Sequence, residues 1–371
     1  MQGQPLGGIA ASAFKNTILR IDSSRPITAN SEDTAGDTLT RITDIESFSY
    51  NYGEYDTAHR KYPWKPIMGG ESASCVSDRA YYGNTNATTG HVTADDVGCV
   101  IAAWQSVATR PWVIGNFAWT GTDYKGEPSP LNWPDINSHF GVVDIAGFEK
   151  DSAGYYKAWW RNDSSKIYTL PATWNFAPGT TLKEVAVFAA AAAAELFVDG
   201  ASLGVRNISA FGAATWQGVV VGPGGALAAK SYDASGAVLA TTALAKTGAA
   251  AALRVTCDAG SAAIAADGAD VALVRVEVID AAGNVVPDAS PALVFTASAG
   301  GEIIGVANGD PADPTPDKVG DPALPYGGVW ARAAYNGLAR AIVRSTTTPS
   351  AVTVNVTAPG LAAGSVVITT A

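Results

Sequence analysis

Apolar and polar positions alternate between two rhythms over the first 160 residues. Residues 9–21 place Ile9, Ala10, Ala13, Phe14, Ile18 and Ile21 near the spacing of one helix face, and the 22–26 segment DSSRP stops that pattern. Short apolar runs at 26–30, 47–52, 65–71 and 113–119 read as strands. Between them lie a helical pattern from Glu54 to about Tyr62 and a second one through Trp104 to about Ala108, for which Asp95 or Asp96 supplies the cap. A closing helix is expected at 151–160. Strand alternating with helix in this way is the grammar of a parallel β/α architecture.

From about Asp163 the period drops to two. Runs at 184–188, 195–198 and 227–232 alternate between inward and outward positions, with turns at Asp199-Gly200 and 233–236. The alanine run at 189–194 favours helix on propensity, yet strand signals and an Asp-Gly turn bracket it, so it reads as loop and strand. Past Ala250, a clean alternation at 272–279, a turn at 280–284 and late strands at 352–356 and 366–369 predict another sandwich. The Pro/Asp-rich stretch 310–325 is expected to be a long surface loop. The fold class is therefore multidomain, α/β followed by all-β, in units of 1–163, 164–248 and 249–371.

Composition narrows the partners. Among 371 residues, 24 basic side chains face 34 acidic ones, a formal charge of -10 that disfavours nucleic acid and anionic membranes. No apolar run is long enough to span a bilayer, and the N-terminus shows no basic segment followed by an apolar one, so localisation stays open. Cys75, Cys99 and Cys257 are odd in number and scattered, which points to buried free thiols rather than a zinc site or a disulfide framework. His59, His91 and His139 are dispersed, so no metal and no cofactor is expected.

Glu71 closes the 65–71 run directly after Gly69 and Gly70. In a parallel barrel the carboxyl end of a strand faces the active site, so this carboxylate reads first as chemistry; a solvated loop charge or helix cap is the alternative. At 69–74 (GGESAS), 117–128 (FAWTGTDYKGEP) and 140–151 (FGVVDIAGFEKD) the sequence resembles glycoside hydrolase family 2, the β-galactosidase group. Residues 174–176, 195–204 and 222–228 resemble the small sandwich that follows the barrel in a bacterial branch. Residues 266–270, 279–287 and 306–310 resemble its terminal immunoglobulin-like domain.

The resemblance implies strands five to eight of a (β/α)8 TIM barrel followed by two immunoglobulin-like β-sandwiches. It also implies a retaining exo-glycosidase acting on β-galactosides through two carboxylates roughly 5 Å apart. Glu71 matches the nucleophile, and Tyr52, in the motif Asn51-Tyr52, matches a tyrosine that hydrogen-bonds it and favours the ionised form. Trp119 matches an apolar wall under the sugar. Asp123 is expected either to reach a sugar hydroxyl or to be a turn residue before Tyr124.

The family's acid/base glutamate follows an asparagine, and the chain contains no Asn-Glu pair. The expectation is a C-terminal piece whose missing N-terminal half supplies the acid, nearly inactive alone, from a periplasmic or extracellular parent. Glu46, Glu54 and Glu127 are set aside as replacement acids: Glu46 lies before its strand, Glu54 enters a helix, and Glu127 precedes a proline in a loop. β-Glucuronidase and β-mannosidase share the chemistry and stay open. Outside the enzymes, the alternative is a carbohydrate-binding or surface-interaction module built from the two sandwiches.

Overall fold

The computed structural model describes residues 5–31, 38–94, 97–318 and 329–371. Asp95 and Asp96, expected to cap a helix, lie outside the described residues, as do residues 319–325 of the expected loop. The first unit runs α1 (Pro5–Ile21), β1 (Thr28–Ser31), α2 (Thr38–Ile42), β2 (Ile45–Ser49), α3 (Glu54–Lys61), β3 (Ile67–Ser72), α4 (Gly98–Ala108), β4 (Val113–Ala118) and α5 (Asp151–Trp160). The strands pair in parallel in sequence order, β1-β2-β3-β4, as helical crossovers on a twisted sheet require.

Phe48, Tyr55, Ala58, Ile67, Val107 and Val113 form the core between this sheet and the helices α3 and α4. The opposite end of the unit is apolar and, among the described residues, uncovered, with β1 pairing only with β2 there. Leu6, Ile9, Phe14, Ile18 and Ile21 of α1 are exposed. A groove of about 330 Å³ runs among α1, Ile27, Leu39 and Ile42.

The second unit contains β5 (Tyr168–Leu170), β6 (Thr181–Phe188), β7 (Ala193–Val198), β8 (Ala201–Asn207), β9 (Ala214–Val220), β10 (Ala226–Tyr232) and β11 (Val238–Ala245). Sheets β5-β6-β9 and β11-β10-β7-β8 enclose Val185, Val187, Leu196, Trp216 and Leu227. β7 alternates strictly between half-buried and buried positions, so the last two residues of the alanine run become strand because one face is needed for this core.

The third unit contains β12 (Ala250–Cys257), β13 (Ala263–Ile264), β14 (Val271–Asp280), β15 (Ala292–Ala297), β16 (Gly301–Ala307), β17 (Ala331–Ala333), β18 (Leu338–Ser345), β19 (Ser350–Thr357) and β20 (Gly364–Thr370). Its sheets, β12-β14-β18-β16 and β13-β20-β19-β15-β17, pack Val274, Val276, Phe295, Val343, Val354 and Ile368 against one another. Each such side chain contributes about 1.5–3 kcal/mol of burial. Among the described residues no helix is long and apolar enough to cross a membrane.

The units dock through specific contacts. On the second unit, Tyr155 Oη donates to the Phe211 carbonyl at 2.6 Å and Trp159 Nε1 to the Gly212 carbonyl at 3.0 Å. On the third, Arg79 is 5% exposed and pairs with Asp144 at 2.6 Å while donating to the carbonyls of Asn308, Tyr335 and Asn336. Buried Phe148 sits under three guanidinium groups, those of Arg79, Arg275 and Arg340, each about 5 Å from the ring centroid. The expected surface loop is partly corrected: Asp313 and Asp317 pair with buried Arg332, and Asp310 pairs with His91, which ties residues 308–317 down.

A disulfide joins Cys75 and Cys99, whose Cα atoms lie 5.8 Å apart, and this overturns the expectation of three free thiols. Cys75 follows β3 and Cys99 opens α4. No local spacing announces the pair, because the two positions meet only when the insertion between strand and helix folds back on itself. Closing a loop of 24 residues contributes about 3 kcal/mol in the chain-entropy account. Cys257 is a free, half-buried thiol whose pKa burial pushes up.

Unfolded without reductant, the protein is expected to take up iodoacetamide at Cys257 alone, and at all three cysteines after reduction. Mass spectrometry of the alkylated peptides reads this directly, and modification of Cys75 or Cys99 in the oxidised sample rules the bridge out. Arg79→Met, which strands the buried Asp144 carboxylate, is expected to destabilise by about 3–5 kcal/mol in denaturant titrations.

Candidate active site

The site is built where β2, β3 and β4 end. Gly69 and Gly70 are there for space: a Cβ on Gly69 would lie 2.7 Å from Tyr55 Oη and 2.9 Å from Asn116 Cβ, and one on Gly70 would lie 2.2 Å from Ser47 Oγ. Phe48 pairs with Gly69 but Ser49 pairs with Glu71, so Gly70 is an extra residue in β3. Such a bulge re-aims the side chain that follows it, here Glu71.

Two residues just past these strands adopt left-handed backbone, Tyr50 with φ 56° and Ala73 with φ 61°. Each carries a penalty of about 1–3 kcal/mol, and each is held by a hydrogen bond. Tyr50 N–H donates to the Glu71 carbonyl at 2.8 Å, and Ala73 N–H donates to Tyr52 Oη at 3.0 Å.

This geometry reassigns the tyrosine expected at the nucleophile. Tyr50 Oη donates to Glu71 Oε2 at 3.2 Å, whereas the Tyr52 hydroxyl is turned to the backbone at Ala73. β2 ends at Ser49, before the expected boundary, and the left-handed turn at Tyr50 swings its ring toward Glu71. Desolvation of the Tyr50 hydroxyl, with the nearby Glu71 carboxylate, pushes its pKa up to about 12, so it remains a donor. Asn51 is exposed in the loop after β2, its carbonyl accepting from Glu54 N–H at 3.2 Å. Glu46 lies inside β2 rather than before it, buried level with Ile67 at the amino end of the sheet and away from Glu71.

Trp119 stands immediately after β4, half-buried, its backbone N–H bonded to the Ser72 carbonyl at 2.6 Å. Its Nε1 donates to Tyr124 Oη at 3.2 Å, the rings are edge-on at 5.9 Å, and Tyr124 Oη in turn donates to Glu127 Oε2. Sequence reasoning passed over Tyr50, gave Tyr124 no role and set Glu127 aside as a loop charge. The signal for the last two was a tyrosine and a glutamate three residues apart in one motif, but only the folded loop shows them meeting at Trp119.

Asp123 is used differently from the expectation of a sugar contact. It is 6% exposed, with Oδ2 bonded to Lys150 at 2.7 Å and Oδ1 accepting from Gly141 N–H at 2.7 Å and Ser138 Oγ at 3.4 Å. Burial pushes its pKa up against the lowering pull of Lys150. A carboxylate so engaged anchors the loop carrying Trp119 and Tyr124.

His139 lies beneath this loop, fully buried between Asp78, 2.5 Å from Nδ1, and Asp135, 2.6 Å from Nε2. Burial alone would lower its pKa, but the two carboxylates more than offset it and raise the ring to about 9. Among the described residues no three His, Cys, Asp or Glu side chains are placed to hold a metal ion.

A folded pKa near 9 exceeds the unfolded value of about 6.5, so the stability His139 contributes is fully present below pH ~6.5 and is lost as pH rises through 9. Denaturation midpoints measured from about pH 6 to about pH 10 are expected to fall between about pH 6.5 and about pH 9 and to level off above that, and His139→Gln is expected to flatten the fall. A wild-type profile that is level throughout would contradict the charged ring.

Residues 253–367 match the family model described as glycoside hydrolase family 2 C-terminal domain 5, and residues 179–240 match a domain of unknown function (DUF4982). The chain is 31% identical over 315 residues to the beta-galactosidase BoGH2A of Bacteroides ovatus, a match covering 78% of this chain and 36% of that protein. It is 29% identical over 119 residues to a beta-glucuronidase of Bacteroides fragilis, covering 31% of this chain and 17% of that protein. A solved glycosyl hydrolase family 2 member from Bacteroides cellulosilyticus superposes with a TM-score of 0.79 at 21% identity, covering 100% of this chain and 48% of that one. The chain thus spans less than half the length of each of these relatives. Residues 253–367 thus match the C-terminal domain of glycoside hydrolase family 2, and the chain as a whole is similar in sequence to a beta-galactosidase and in fold to a solved member of that family.

Proposed function

We propose that this chain carries the nucleophile side of a retaining, β-galactosidase-like exo-glycosidase site. The observation that carries the reading is Glu71, set by a bulge at the end of β3, with the Tyr50 hydroxyl 3.2 Å from its carboxylate. Glu71 attacks the anomeric carbon and forms a glycosyl ester as the bond to the aglycone oxygen breaks and the aglycone departs; water then attacks the same carbon, losing its proton to the acid/base carboxylate or to solvent, and frees the sugar and the Glu71 carboxylate. The Tyr50 donor stabilises Glu71 as it regains its charge. Trp119 supplies the apolar wall and Asn51 a contact to the sugar, while Tyr52 supports the turn after Glu71.

The sheet β1 to β4 corresponds in this proposal to strands five to eight of a (β/α)8 barrel, followed by immunoglobulin-like units at 164–248 and 249–371. Parallel order, the uncovered edge of β1 and the exposed apolar side chains of α1 support that arrangement. The acid/base carboxylate then belongs to the part of the relatives with which this chain does not align. Losing that proton donor costs roughly 100-fold to 10,000-fold in rate, so substrates with good leaving groups suffer least. The name of the Bacteroides ovatus relative supports a β-galactoside as substrate. The Cys75–Cys99 bridge supports an oxidising compartment.

A 2-deoxy-2-fluoro-β-galactoside bearing dinitrophenolate, which departs without protonation, is expected to add one glycosyl mass to the Glu71 peptide, and Glu71→Gln is expected to take none. No adduct, or an adduct on another side chain, would sink the assignment.

A further inference from the structure

The relatives carry two activities in their names, beta-galactosidase and beta-glucuronidase. The sugars differ in charge: a galactoside ends in a neutral hydroxymethyl group, a glucuronide in a carboxylate. We infer that Glu127 is a specificity-determining residue of the Glu71 site, accepting a hydroxyl of a neutral pyranoside and repelling uronides. This rests on the proposed function above and adds to it the residue that selects between neutral and acidic sugars.

Three observations carry it. First, Glu127 is placed, not loose: its Oε2 accepts from Tyr124 Oη, which accepts from Trp119 Nε1 at 3.2 Å. The carboxylate is therefore tied to the same wall as the sugar platform, through a hydroxyl that has no other reason to point there. Second, the residue is exposed, and its Oε1 makes no protein hydrogen bond among the described residues, which leaves an acceptor for a ligand hydroxyl.

Third, among the described residues no lysine, arginine or histidine is paired with either Glu127 or Glu71. Glu71 is bonded by the Tyr50 hydroxyl and Glu127 by that of Tyr124, whose other partner, Trp119, is held by its backbone N–H to the carbonyl of Ser72, the residue after Glu71. The cations on this part of the chain are committed elsewhere: Lys125 to Asp317 at 2.7 Å and Lys150 to buried Asp123 at 2.7 Å. A uronate entering this site meets two like charges, while a neutral sugar meets two acceptors.

The test compares labelling of Glu71 by 2-deoxy-2-fluoro-β-galactosyl fluoride and by its glucuronyl counterpart, followed by intact mass. The galactosyl reagent is expected to label the wild-type chain at least about tenfold faster. Glu127→Gln is expected to slow galactosyl labelling and narrow the ratio; Tyr124→Phe, which unties the carboxylate, is expected to do the same to a smaller degree. Circular dichroism of each variant checks that the fold is kept. Equal rates in the wild type, or an unchanged ratio in Glu127→Gln, overturn the inference while Glu71 still labels. Absence of any label on Glu71 overturns it together with the function it rests on.

Discussion

Charge buried away from water must be paired, and this protein puts a row of such pairs where its first and third units meet. Asp78, His139 and Asp135 form one group, Arg79 and Asp144 a second, Lys150 and Asp123 a third, all of them nine-tenths or more buried. Removing one member leaves its partner as an isolated buried charge, which is more damaging than never having buried either. The row thus couples parts of the chain that have no reason in sequence to meet. Arg79 lies in the insertion after β3, Asp144 in the stretch before α5, and the carbonyls that Arg79 also engages belong to the third unit.

The candidate site is suspended from that row. Asp123 fixes the loop that presents Trp119, Tyr124 and Glu127, and the Cys75–Cys99 bridge closes the insertion that supplies Asp78 and Arg79. Above it, the sheet contributes a different device: two glycines chosen for space, a bulge at Gly70, and left-handed turns at Tyr50 and Ala73 that neighbouring hydrogen bonds hold in place. Local strain of this kind survives only when the surroundings over-determine it. The third unit is therefore more than an appendage, since its residues 308–317 grip the region from which the loop springs.

Much of the architecture was legible from patterning. The alternation of strands and helices gave a parallel sheet, the period of two gave the sandwiches, and Glu71 was singled out by its place after two glycines at a strand end. Those features depend on backbone geometry that a short stretch of chain specifies by itself. The failures share one cause. The Cys75–Cys99 bond, the exchange of Tyr52 for Tyr50 beside Glu71, and the turning of Asp123 onto Lys150 all involve side chains whose partners are distant in sequence or whose direction hangs on one dihedral angle.

On its own, then, the order of residues determined the elements, their succession and the place of the Glu71 carboxylate at a strand end, because hydrophobic period and turn residues act over a few positions. Which tyrosine faces that carboxylate, which acids are spent on holding the molecule together, and which cysteines meet were decided only on folding. Those outcomes depend on the register of neighbouring strands and on where a charge ends up relative to solvent, quantities that exist only once the chain has closed on itself.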